Sequence, residues 1–352
     1  VTLDNTYGGS SPASGYITTS NIATYATTSV GVTVNNAIYS TKLISVKGIS
    51  NGSQGISYSA VMNVSAAGIE LTGTTSNNYG VYTSNASLIT ANYITINGYA
   101  AAAVGGWIDY IGALTINSGS TGGDIAITAT GASAGGGNGL YQSGAITGAN
   151  GSDITFTSNN VISQNGAITL AANTSGNTAT LTYDTTSGTK ASTITSGTLT
   201  LTTGSSSDIN FVMKSAGSAI NPGVIGTSSL RLPGTVTLDN TYGCGTTGCS
   251  AVSGYINTNT TTANLIAQAT TSVGVTINDA IYARGNITVN GVSSSNAIDY
   301  SQPIISTAGS VLLNGGTTTL RGVYESAATT IAANNITIIG TSTGVPAWAT
   351  QI

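Results

Sequence analysis

The chain of 352 residues contains no histidine, two cysteines, five prolines, two phenylalanines and two tryptophans, and only 5% of it is charged. An ordinary globular protein carries about 25% charged residues. Each shortage removes a class of function. Without histidine there is no Ser-His-Asp triad, no imidazole general base and no histidine-ligated zinc. Seven Lys+Arg against eleven Asp+Glu cannot coat a phosphate backbone, which argues against nucleic acid as a partner. No apolar run reaches the ~20 residues of a membrane-spanning helix. The nearest, Tyr99 to Leu114, is rich in Ala and Gly and broken by Asp109. Low charge with 40% hydrophobic residues is the reverse of a disordered composition. No cofactor is implied either. Gly243 to Gly248 matches G-x-G-x-x-G by letter, but no helical pattern follows to supply an N-terminal dipole.

Cys244 and Cys249 stand in Cys-Gly-Thr-Thr-Gly-Cys. In a low-charge chain rich in Thr and Asn, they are expected to pair as a local disulfide staple formed outside the cytoplasm. A metal would need further ligands nearby, and a redox pair would favour Cys-x-x-Cys. The chain opens on Val1 without a start Met or leader and is expected to be a window on a longer protein.

What is present is repetition. Val1 to Gly8 reads VTLDNTYG, and so does Val236 to Gly243. SGYITT from Ser14 returns as SGYINT from Ser253, and ATTSVGVTVNNAIYS from Ala26 as ATTSVGVTINDAIYA from Ala269. YGVYTSNASLITANYITING from Tyr79 aligns with RGVYESAATTIAANNITIIG from Arg321. The expected organisation is one complete unit of ~240 residues, 1–235, and a partial second unit, 236–352.

A shorter motif lies inside each unit: apolar, polar, apolar, with period two in β-branched residues. Ile44-Ser45-Val46, Ile94-Thr95-Ile96, Leu114-Thr115-Ile116, Ile154-Thr155-Phe156, Ile168-Thr169-Leu170 and Ile336-Thr337-Ile338 are examples. This is the strand pattern, and no segment sustains a helical period. Asn97-Gly98, Asn290-Gly291 and Asn314-Gly315 follow such strands and are expected to turn corners. Beside the strands, an aliphatic residue is followed by Tyr one or two positions on, as at Ile38/Tyr39, Ile56/Tyr58, Val81/Tyr82, Ile108/Tyr110, Leu140/Tyr141 and Ile298/Tyr300. The change from one to two flips the face, so the direction of the Tyr column stays open. Steps of ~20–30 residues are those of a parallel β-helix, whose coils bury one continuous core by stacking. The expected fold is therefore an all-β parallel β-helix (β-solenoid) rod with irregular loops. The competing arrangements are an antiparallel sandwich array and a membrane β-barrel, which would carry aromatic girdles.

Gly151 to Asn160 (GSDITFTSNN), Asn165 to Asn177 (NGAITLAANTSGN) and Gly197 to Phe211 (GTLTLTTGSSSDINF) resemble the filamentous-haemagglutinin type of bacterial surface protein. That resemblance implies a secreted right-handed parallel β-helix, displayed on the cell surface as a long fibre or adhesin.

Other β-helices host polysaccharide-active enzymes, whose sites need carboxylates clustered on one face. Here the carboxylates are scattered. Asp109, Asp124 and Asp153 are the set that neighbouring coils could bring together. Asp124, Asp153 and Asp208 each precede an Ile that starts a strand, which suits a turn-forming aspartate. Glu70 and Glu325 do not occupy matching repeat positions. No catalytic, cofactor-binding or metal-binding residue is assigned. Asn-x-Ser/Thr occurs at Asn63, Asn85, Asn286 and Asn335, as chance supplies in such a composition. Thr between apolar residues should form outward rows, suited to lateral contact in a fibre; ice binding needs a more regular array. The expected function is a structural segment of an extracellular fibre or giant adhesin on the bacterial cell surface. Its partners would be itself or further repeat units, end to end and laterally, because both ends of the chain fall inside the repeat. The alternatives are an adhesin module for cell-surface glycans and a β-helical polysaccharide-active enzyme.

Overall fold

The computed structural model describes residues 1–4, 30–76, 78–83, 87–101, 107–117, 123–131, 138–149, 151–170, 179–187, 193–201, 209–215, 219–225, 232, 234–241, 249–256, 265–269, 273–342 and 348–351. Among them there are strands and turns but no helix. The chain packs as two compact units, Val1–Leu170 and Ala171–Ile352. This division follows packing, whereas the 235/236 boundary is a period of the sequence.

In the first unit each coil contributes one strand to each of three parallel sheets. One coil runs through Ile44–Ser50, Gln54–Tyr58 and Met62–Val64, and the next through Ile69–Thr75, Val81–Thr83 and Leu88–Ala91. Ile44, Ile69, Ile94, Ile125 and Ile154 stand in one register column, so successive coils advance by 25, 25, 31 and 29 residues. This is the β-solenoid that the strand motif requires. Period-two alternation places Ile94, Ile96, Gly98 and Ala100 inside and Thr95, Asn97 and Tyr99 outside. A second column, Val46, Leu71, Ile96, Ile127 and Phe156, is fully buried. A third, Met62, Ile89, Leu114, Ile146 and Ile168, lines the third sheet. Each buried aliphatic side chain contributes about 1.5–3 kcal/mol relative to exposure. The parallel ladders satisfy backbone groups from coil to coil.

The Asn-Gly pairs do not turn corners. Asn97-Gly98, Asn290-Gly291 and Asn314-Gly315 lie inside the strands Ile94–Ala100, Ile287–Ser293 and Ser310–Thr317. The physical need is space, not a left-handed backbone. A Cβ on Gly98 would lie 1.7 Å from Asp109 Oδ1, one on Gly291 2.2 Å from the Ala297 carbonyl, and one on Gly315 1.9 Å from the Gly322 carbonyl. These glycines face inward where the first and second sheets converge, and only a missing side chain lets the backbones approach.

The second unit repeats the plan with columns Leu181–Phe211–Val236–Ile287–Val311 and Tyr183–Met213–Leu238–Val289–Leu313. Among the described residues, parallel pairing has one exception. Cys249–Ile256 and Leu265–Ala269 form an antiparallel hairpin, which packs against the strands Ile287–Ser293 and Ser310–Thr317. Asn290 and Val292, which point outward, are 0% exposed there. Their sequence counterparts Lys47 and Ile49 are exposed and half-buried.

Candidate functional site

The aspartates that neighbouring coils could have brought together separate into two kinds of place. Asp124 and Asp153 stack at one corner, where Asp124 Oδ1 accepts the Asp153 amide at 3.1 Å. Both are exposed and stand directly before the strands Ile125–Gly131 and Ile154–Ser158. Asp109 is elsewhere, in the core. Asp208 and the Cys244–Cys249 pairing lie outside the described residues. Glu70 accepts the Tyr93 hydroxyl at 3.3 Å. Glu325 stands in register with Tyr300 and accepts the Thr329 amide at 2.8 Å.

Asp109 is the least expected residue of the interior. It occupies the column Ile56–Val81–Asp109–Leu140–Ile162, otherwise aliphatic, and is 0% exposed. Its Oδ1 accepts the Val81 amide at 2.9 Å and lies against the Gly98 backbone; its Oδ2 has no hydrogen-bond partner among the described residues. Burial pushes the Asp109 carboxyl well above the ordinary carboxylate range, and the Val81 and Gly98 amides offset this only partly. Ile108 precedes it at the position where earlier coils carry Gly55 and Gly80, and is 1% exposed. The buried Tyr58 hydroxyl lies near Thr83, Ser87 and the Gly112 amide without a well-formed hydrogen bond. Burial, and secondarily the Asp109 charge, raise its pKa.

Two further polar ladders were not anticipated. Inside the corner between the second and third sheets, Gln164 Nε2 donates to Gln142 Oε1 at 3.0 Å. The two amides also reach the carbonyls of Gly166 and Gly144. The signal is Gln-x-Gly at 142–144 and 164–166, one coil apart. Outside the first sheet of the second unit, Asp184, Lys214, Asp239, Asn290 and Asn314 stand in register. Asp239 Oδ1 accepts the Thr241 amide and hydroxyl at 2.7 and 2.6 Å, and its Oδ2 accepts Asn290 Nδ2 at 3.0 Å. Burial still raises the Asp239 pKa. Asp184 makes the same contacts with Thr186 and pairs with Lys214 at 2.9 Å. Burial pushes Asp184 up, but the Thr186 bonds and Lys214 outweigh it and hold it below the usual range. Asp-x-Thr at a strand end is the legible signal.

The tyrosines sort by face. Tyr58 and Tyr300, two positions after Ile, point inward and are 0% and 1% exposed. Tyr82 and Tyr141, one position after an aliphatic residue, point outward. Tyr110 follows Ile108 by two and yet points outward, because Asp109 takes the inward place. Tyr82, Tyr110 and Tyr141 stack with ring centroids 5.6 and 4.8 Å apart, and Tyr79 extends the strip at 4.8 Å from Tyr82. The inner rings of this strip cover one another's faces. Tyr39 differs: it is 71% exposed. It borders a shallow groove of about 310 Å³ with Ser40, Thr41, Asn63 and Ser65.

No known protein family matches the chain, and no curated protein or solved structure matches it.

Proposed function

We propose that the chain is a structural segment of an extracellular fibre or giant adhesin on a bacterial surface, without catalysis. The observation that carries this reading is the in-register stack of aliphatic columns beneath a nearly uncharged outer surface. Such a stack grows by adding coils, each burying its neighbour's apolar edge, and so makes long, stiff objects from short repeats. A surface with few titrating groups keeps its properties across pH and salt, as an exposed fibre must. The likeness to filamentous-haemagglutinin repeats points the same way. Asp109 is buried apart from the exposed Asp124 and Asp153, an arrangement that fits a structural reading better than a shared carboxylate pair.

Antibodies raised against the purified chain should label intact producing cells and decorate filaments shed from them in negative stain. Labelling only after cell lysis would overturn the proposal.

A further inference from the structure

The third sheet of the first unit carries one outward row that differs from the others. Register pairs Tyr39 with Asn63, Asn63 with Thr90, Thr90 with Thr115, Thr115 with Thr147, and Thr147 with Thr169. Six coils thus present, in line, one aromatic ring, one carboxamide and four threonine hydroxyls, about 4.8 Å apart. None of the six is buried. None makes a side-chain hydrogen bond within the described residues, and none is charged. At the Tyr39 end the row opens into the groove shared with Ser40, Thr41 and Ser65. The corresponding row of the second unit reads Tyr282, Ile305 and Ala332. The polar track is therefore not a general consequence of the fold.

We propose that this row is a binding track for a linear, uncharged oligosaccharide lying along the coil axis. The chemistry of each position fits that ligand. A pyranose has an apolar face of C–H groups that packs on an exposed aromatic ring. Tyr39 offers such a ring, whereas the inner rings of the Tyr82–Tyr110–Tyr141 strip already stack on one another. Sugar hydroxyls need donors and acceptors together, which Thr hydroxyls and the Asn63 carboxamide supply. Charge is absent from the row, so an anionic glycan gains nothing there. The coil spacing is close to the residue repeat of an extended glycan, so successive sugars meet successive coils. The strands hold the row rigid before binding, which lowers the ordering cost. A regular Thr row could alternatively meet ice, and the test separates the two.

The experiment titrates the purified chain with hexamers of β-1,4-glucose, β-1,4-N-acetylglucosamine, α-1,4-glucose and β-1,3-glucose by calorimetry, alongside a polyuronate hexamer. At least one neutral hexamer should bind, with affinity rising from dimer to hexamer, and the polyuronate should not. Tyr39→Ala should weaken binding at least tenfold. Thr115→Val, which keeps the β-branched shape and loses the hydroxyl, should weaken it several-fold with an unchanged melting temperature. Tyr141→Phe, on another sheet, should leave it unchanged. The proposal fails if no neutral hexamer binds at millimolar concentration, if the polyuronate binds as well, or if Tyr39→Ala and Thr115→Val leave affinity intact. Thermal hysteresis in freezing solutions, lost in Thr115→Val but kept in Tyr39→Ala, would replace it with ice binding.

Discussion

A buried carboxyl in an aliphatic column is the sharpest chemical fact at the residue scale. The folded-state pKa of Asp109 is raised above its unfolded value of ~3.9. Its proton is therefore bound more tightly in the folded chain. The folded state is favoured below the unfolded value, and that advantage is lost as pH rises towards the folded value. Asp109→Asn keeps an oxygen for the Val81 amide and removes the charge. Relative to the natural chain it should gain stability as pH rises above ~4, reaching about 1–3 kcal/mol at pH 7. Urea unfolding at several pH values reads this difference directly, and a flat difference would contradict it. Glycine offers a second residue-scale test. A Cβ on Gly73 would lie 1.9 Å from the Gly80 carbonyl, and one on Gly52 would meet nothing within 4 Å. Gly73→Ala should cost at least ~2 kcal/mol and Gly52→Ala close to nothing, in thermal melts of the two variants.

Elements at matching repeat positions do different work according to what covers them. ISVKGIS at Ile44–Ser50 and ITVNGVS at Ile287–Ser293 are repeat counterparts. The first has an exposed Lys47 and a half-buried Ile49, while the second lies under the antiparallel hairpin with Val292 at 0% exposure. Val292→Ala should therefore cost about 1–2 kcal/mol and Ile49→Ala less than ~1 kcal/mol, measured by chemical denaturation. The tyrosine strip is a second case of element-level energetics. Tyr110 touches a ring on each side, so Tyr110→Ala should lose about 1–3 kcal/mol. Tyr39, 71% exposed, should tolerate Ala within ~0.5 kcal/mol. Equal losses at both sites would refute the assignment of the strip as a stabilising ladder and of Tyr39 as a solvent-facing ring.

For the whole molecule, the scarcity of charge governs the response to solution conditions. The one ion pair among the described residues, Lys214 with Asp184, is partly exposed and is worth at most ~1 kcal/mol. Because the pKa of Asp184 is held down, its contribution is present above ~3.9 and lost as pH falls through the folded value. Asp109 shifts stability in the opposite sense. The melting temperature should accordingly move by only a few degrees between low and high salt, and Lys214→Gln should remove most of what salt dependence there is. A steep salt dependence in calorimetric scans would mean that surface electrostatics matter more than this composition allows.

Fold class was legible because it rests on local rules. Period-two alternation in Val, Ile and Thr specifies strands with one buried face, and a recurring step near 25 residues leaves stacking as the way to bury that face. The outward Thr rows followed from the same alternation. Register and space, in contrast, are decided only when coils meet. Asn97-Gly98 reads as a turn in one dimension and is a strand interior in three, because the facing strand needs the room a Cβ would fill. Asp109 reads as one more scattered carboxylate, yet the place of Ile108 in the glycine column carries it inward and turns Tyr110 out. Asp-x-Thr and Gln-x-Gly were visible as strings, but their meaning depends on which carbonyls and amides the next coil delivers. The row from Tyr39 to Thr169 spans residues far apart in the chain and exists only in the register of six coils. Alternation is a property of each strand by itself, whereas register is set by the lengths of the loops between strands. Those lengths, 25 residues per coil in one place and 31 in another, carry no periodic signal of their own.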